Sequence, residues 1–119
     1  MSDLSRKEVI QILATTHQAR LAGVDLSGLD LSGLNFAGAD LIRANLSGAN
    51  LTNAYMRNAQ LEDANLKGAI LVNANLKQSN LKGCIIKGEN LSGANLTDTN
   101  LFGVELDPAQ KVQAKGLMA

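Results

Sequence analysis

The stretch ADLIRANLSGANLTNAYMRNAQLEDANLKGAILVNANL, residues 39–76, returns a large apolar residue at every fifth position: Leu41, Leu46, Leu51, Met56, Leu61, Leu66, Leu71 and Leu76. On an α-helix, at about 100° per residue, five residues advance about 140° net, so these side chains would spread around the cylinder and bury no stripe. On a single strand, side chains alternate faces, and an odd spacing sends successive leucines to opposite sides. A chain that turns a corner once every five residues escapes both failures. Corners of one hand, repeated, wind it into a coil whose axis is filled by the large side chains. Successive coils then stack about 4.8 Å apart with strand-like hydrogen bonds.

The ladder runs on in both directions. From Leu26 to Leu106 every fifth residue is Leu, except Phe36, Met56 and Ile86. A second ladder stands two residues earlier. It begins with Val24, Leu29 and Leu34, settles to Ala from Ala39 to Ala74, and ends more irregularly with Ser79, Cys84, Glu89, Ala94, Thr99 and Val104. Between the two ladders sits mostly Asn or Asp. After the large residue come Ser, Thr or Lys, then often Gly or Asn, the residues that suit a corner with positive φ. The segments ADLIR, ANLSG, ANLTN, ANLKG and ANLTD carry this pattern. They resemble the pentapeptide repeat proteins, whose motif is small–Asp/Asn–Leu/Phe–Ser/Thr/Arg–Gly, and the resemblance covers residues 24–107. It implies an all-β solenoid, a right-handed quadrilateral β-helix with four repeats per coil. The number four and the hand are what the resemblance implies.

With four repeats per coil, residues twenty apart stack. The core columns become Leu26–Leu46–Leu66–Ile86–Leu106, Leu31–Leu51–Leu71–Leu91, Phe36–Met56–Leu76–Leu96 and Leu41–Leu61–Leu81–Leu101. Gly28, Gly48, Gly68 and Gly88 form one corner column, suited to type II turns. Corners at Arg43, Asp63, Gln78 and Asp98 are expected to avoid positive φ. The bulky Val24, Leu29 and Leu34 mark a first coil with nothing beneath it, which calls for a cap over its open edges. LSRKEV supplies a helix start, with Ser5 as N-cap, Glu8 completing a capping box, and Leu4 with Val9 as a hydrophobic staple. The spacing predicts a helix over residues 6–18. At the other end Asp107 as N-cap, Pro108 at the first position, Lys111 and Lys115 near the end and Gly116 as C-cap predict a short helix over 108–115. The organisation expected is a capping helix and lead-in over 1–23, the β-helix over 24–107 and a short helix and tail over 108–119.

Chemistry is sparse. The chain has 119 residues with 11 basic and 11 acidic side chains, one His, one Cys and no Trp. Zero net charge argues against a nucleic-acid binder built on a basic field. One His and one Cys cannot make a metal cluster or a His-dependent triad. His17 reads as a helix-end residue, and Cys84, in the small ladder, as a buried structural thiol. The glycines follow the five-residue register and make no phosphate loop. A filled axis leaves no pocket for a substrate, so neither an enzyme nor a cofactor is expected. No apolar run approaches the ~20 residues of a membrane span. The first twenty residues hold only the short, interrupted VIQILA, not a secretory signal, and a lone Cys favours no oxidising compartment; a cytoplasmic protein is expected. Lys67, Lys77, Lys82 and Lys87 spread around the coil as a solubilising belt.

What remains is interaction. Folded at twenty, the Leu31 face displays Asp30 and Ser32, then Asn50 and Thr52, Ile70 and Val72, Asn90 and Ser92. Beyond Asp30 it carries no charge, and an apolar pair sits at its middle, as in an interface core. Asn50, Thr52, Ile70, Val72, Asn90 and Ser92 are the candidate contact residues for another protein, in a non-catalytic interaction or scaffold role. The alternative implied by the resemblance is a DNA mimic that binds a type II topoisomerase, gyrase, for which the neutral charge is the main discriminator. Glu89 breaks the small ladder with a carboxylate. It is expected either to accept N–H groups of Ala109 and Gln110 in the C-terminal helix or to escape to solvent.

Overall fold

Parallel β-bridges join residues twenty apart on all four faces, from Arg20↔Asp40 to Asn80↔Asn100. Four five-residue repeats therefore complete one coil in this computed structural model, which describes residues 3–16, 18–87 and 89–117. His17 and Gly88, and with them the readings placed on each, lie outside the described residues. The coils stack into a short rod of 39 × 26 × 22 Å. Each face is named here by its first large residue: Leu26, Leu31, Phe36 and Leu41. Their columns are buried from Leu26 through Leu96, while Leu101 and Leu106 are only partly covered.

The local physics repeats with the motif. The large residue's N–H donates to the carbonyl nineteen residues on, as Leu46 does to Asn65 at 2.8 Å, and Asn65 N–H returns to Ala44 at 3.0 Å. The turn closes when the small residue donates back three positions, as Ala49 does to Leu46 at 3.0 Å. Alanine fits the small column because neighbouring coils leave room for little more. Where a hydroxyl replaces it, the hydroxyl finds a carbonyl: Ser79 donates to Leu76 at 2.6 Å and Thr99 to Leu96 at 2.9 Å. The recurring Asn and Asp are Asx turns. Their Oδ1 accepts the N–H two residues on, for example Asn45 from Ser47 at 3.0 Å and Asn95 from Thr97 at 3.0 Å.

One expectation about the corners fails. Arg43, Asp63, Gln78 and Asp98 all have positive φ, between 57° and 62°. The left-handed conformation costs about 1–2 kcal/mol. At Arg43 it aims the N–H at the Glu62 carbonyl, 2.9 Å away, and lets Ala44 close its turn on Leu41 at 3.0 Å. Two backbone bonds at about 0.5–1.5 kcal/mol each offset that cost, so the coil sets φ > 0 at Arg, Asp and Gln as it does at Gly. Corner glycine matters where a neighbouring chain crowds it. A Cβ on Gly116 would lie 2.7 Å from the Thr97 nitrogen.

The ends are closed differently. Helix α1, Arg6–Thr15, starts with the expected capping box: Ser5 Oγ accepts Glu8 N–H at 3.2 Å and Ser5 N–H donates to Glu8 at 3.0 Å. It stops at Thr15, short of residue 18, because the chain must already be extended at Arg20 to bridge Asp40. Val9 is fully buried, with Leu4, Ile12 and Leu13 packed beside it against the first coil. Helix α2, Pro108–Gln113, begins at Asp107 as expected and ends two residues early. Lys115 leaves the helix to bridge Asn95, donating to Ala94 at 2.7 Å and accepting from Leu96 at 2.8 Å. The C-cap is Ala114, and Gly116 lies beyond it.

Glu89 does not hold α2 by its carboxylate. Asp107 Oδ1 takes the Gln110 N–H at 2.9 Å, completing a second capping box with Gln110 Oε1. The buried Gln110 side chain then donates Nε2 to the main-chain carbonyls of Ile86 and Glu89. Glu89 contributes a carbonyl and stands half-exposed.

Candidate interaction face

On the Leu31 face, bridges Asp30↔Asn50, Asn50↔Ile70 and Ile70↔Asn90 bring Asn50, Ile70 and Asn90 into one column, with Thr52, Val72 and Ser92 two residues on, across the large column. Ile70 is 42% exposed and Val72 is half-buried, so the centre presents β-branched carbon flanking the buried Leu71. In the polar rows above and below, Asn50, Thr52 and Ser92 are half-buried and Asn90 is exposed. Asn50 Oδ1 accepts both the N–H of Thr52, at 3.1 Å, and its hydroxyl, at 2.6 Å, while Asn90 Oδ1 accepts Ser92 N–H at 2.9 Å. These side chains satisfy their own turns before they meet a partner.

Both ends of the face are defined by side chains that sequence periodicity did not connect to it. Arg6 of α1 donates Nη1 to the Asp30 carbonyl at 2.6 Å and Nη2 to the Ser32 carbonyl at 3.3 Å, and it pairs with the Asp30 carboxylate at 3.5 Å. The one charge on the face is thereby matched. The Asp30 carboxyl titrates below its ordinary range, first because the Ser32 hydroxyl and N–H bond to it, with Arg6 adding to the effect. At the upper end Gln113 accepts Leu91 N–H on its side chain, at 3.1 Å, and Gly93 N–H on its carbonyl, at 3.1 Å. A signal for Arg6 existed in its place on the first turn of a helix that had to cover carbonyls, but its target depends on how α1 docks.

Elsewhere the surface offers shallow grooves. One of about 480 Å³ is lined by Gln18, Arg20, Gly38, Asp40, Ile42, Asn58 and Gln60. Another, about 330 Å³, opens beside Cys84 between Ile85 and Glu105. Cys84 is buried, donates its thiol to the Leu61 carbonyl at 2.7 Å, and has its pKa pushed up to about 12 by desolvation. Such a thiol is not a nucleophile near neutrality. Among the described residues, no three His, Cys, Asp or Glu side chains gather where they could hold a metal ion. No described helix is long and apolar enough to cross a membrane.

The model of the family described as pentapeptide repeats matches residues 19–58 and 59–98, in eight copies. Among solved structures, the pentapeptide repeat protein Rfr23 from the cyanobacterium Cyanothece 51142 is 40% identical, with a TM-score of 0.59 over 76% of this chain. This chain spans 58% of Rfr23's own length. A pentapeptide repeat protein from the Arabidopsis thaliana thylakoid lumen is 28% identical, with a TM-score of 0.71 over 92% of this chain and 79% of its own. QnrB1, a plasmid-mediated fluoroquinolone resistance protein, is 21% identical over 77% of this chain and 59% of its own, with a TM-score of 0.43. No curated protein matches the sequence.

Proposed function

The chain belongs to the pentapeptide repeat family, and from that premise we propose that it is a non-catalytic protein–protein interaction module, its coil right-handed, with the Leu31 face as its contact surface. The observation that carries the reading is the exposed Ile70 beside Val72 at the middle of a face whose one charge, Asp30, is already paired with Arg6. An apolar centre inside a polar, uncharged rim is how protein interfaces are built. The rod supports such a role physically: a filled core holds the face flat, so little conformational entropy is lost on binding. The single buried free thiol speaks for a cytoplasmic setting.

The test is Ile70→Lys with Val72→Glu, which leaves net charge unchanged. Used as bait in extracts of the source organism, the natural chain should retain a partner that the folded double variant releases. Retention of the same partner by the variant would move the interface to another face. A gyrase-mimic role draws on Asp25, Asp30 and Asp40 in the first coil; Asp25 and Asp30 are held ionised by the hydrogen bonds of Ser27 and Ser32. It predicts inhibition in a gyrase supercoiling assay, whereas the interaction-module reading predicts none.

A further inference from the structure

The Phe36 face differs from the other three in the sign of its charge. Its bridges run Asn35↔Tyr55, Tyr55↔Asn75, Asn75↔Asn95 and Asn95↔Lys115. Its outward side chains include Arg57, Lys77 and Lys115 and no acid. Arg57 and Lys77 are twenty residues apart and so occupy neighbouring rungs, where like charges repel. On the other faces cations meet acids. Lys82 stands one rung above Glu62, Lys87 pairs with Glu105 at 3.3 Å, and Arg6 pairs with Asp30. Among the described residues Arg57, Lys77 and Lys115 form no ion pair. Arg57 Nε donates to Gln78 Oε1 at 3.2 Å, which steadies the guanidinium and leaves its two terminal nitrogens available. Tyr55, 40% exposed, stands on the same rung across Met56. The flanking corner columns add a single charge, Asp98.

We propose that the Phe36 face binds an extended acidic peptide segment of a partner protein, with Arg57 and Lys77 receiving carboxylates and Tyr55 packing against the segment. The guanidinium fork matches a carboxylate in geometry, and Tyr and Arg are the residue types that dominate interface energetics. A nucleic acid fits less well. Three cations would neutralise few phosphates beside the roughly six to ten of a strongly bound complex, and a chain of zero net charge provides no long-range attraction. The proposal rests on the interaction-module reading but uses a different face, across the uncharged corner of Asn53 and Asn73.

The experiment is fluorescence anisotropy with a labelled peptide of alternating Glu and Ala at low ionic strength. The natural chain should bind it, and Arg57→Glu with Lys77→Glu should weaken binding at least about tenfold, as expected on losing charge-assisted contacts. Lys67→Glu with Lys111→Glu, the same change in total charge placed elsewhere, should weaken it less than about twofold through screened long-range effects. Arg57→Gln with Lys77→Gln provides the same reading if the charge-reversed chain folds poorly. Ile70→Lys with Val72→Glu should keep peptide binding, so that failure of the Leu31 face and failure of this one show separately. Equal losses in both charge-reversed variants, no binding by the natural chain, or tighter binding of a labelled single-stranded oligonucleotide would overturn the proposal.

Discussion

The alanine-lined coils over residues 44–83 and the chain over 84–107 carry the same ladder of large side chains, but they do not close alike. In the lower region Asn45 bridges Asn65, with bonds of 2.8 and 3.0 Å. One coil higher on the same face, Asn65 bridges Ile85 with bonds of 3.1 and 3.3 Å, and Ile85 forms no bridge to Glu105. The groove beside Cys84 opens there. The large column does not explain the difference, since Ile86 and Leu106 keep it going. The small column changes in the same place: Ala44 and Ala64 give way to Cys84 and Val104, and Ala49 and Ala69 to Glu89. A carboxylate has no place beside an aliphatic axis. Here Glu89 stands half-exposed, and Gln110 occupies the opening and satisfies the carbonyls of Ile86 and Glu89. Bulk in the small ladder does not by itself prevent closure, since Val24 and Leu29 stand beside the bridges Asp25↔Asn45 and Asp30↔Asn50, whose bonds are 2.8 to 3.0 Å; the bonds lengthen where the stack of coils ends.

The two regions should differ most in the core. Leu66 and Leu106 share one column, but Leu66 is fully buried and Leu106 only partly. Leu66→Ala should cost about 2–5 kcal/mol in urea unfolding and Leu106→Ala less than half as much; equal losses would mean the upper coil is packed as tightly as the middle. Next, Gln110→Ala strips two carbonyls of their donor and should destabilise by about 1–3 kcal/mol, with hydrogen exchange rising first around residues 85–91. Glu89→Ala restores the small ladder and should raise the melting temperature, by an amount equivalent to about 1 kcal/mol or less. A lowered melting temperature would show that the carboxylate anchors the end after all.

At neutral pH the last difference is silent, and it shows only in alkali, through Cys84. Its folded pKa, about 12, lies above the ordinary value of 9.0. The stability linked to the protonated thiol is complete below about pH 9 and is lost as pH rises toward 12, because only the unfolded chain releases the proton in that window. Between those limits the natural chain should lose stability faster than Cys84→Ala, and the two should run parallel below pH 8. A Cys84 that reacts with a thiol reagent at pH 8 in the folded protein would mean that the groove opens to solvent at the core.

The candidate face was legible in the sequence to a definite depth. Stacking at twenty placed Asn50, Ile70 and Asn90 in one column, as the bridges do. It did not reveal that Asn50 and Asn90 are engaged by their own turns, because the Asx bond depends on a side-chain rotamer that periodicity does not encode. The positive φ at Arg43, Asp63, Gln78 and Asp98 was hidden for a related reason. Residue preference argued one way, and at Arg43, Asp63 and Gln78 one bond to the next coil and one closed turn decided the other.

The coil follows from the order of residues alone: a period of five excludes helix and flat sheet, and its large and small ladders define an axis and a spacing. The tertiary structure decided what happens where the coil stops. Arg6 reaches Asp30 and Ser32, and Gln110 reaches Ile86 and Glu89, across 21 to 26 residues that no repeat relates. Within the rod the backbone of the large residues and of the Asn or Asp before them pairs one coil away at fixed offsets, and the turns close on themselves. At the ends those offsets have no occupant, and the partner is whichever side chain the docked helix happens to bring within reach of the open edge.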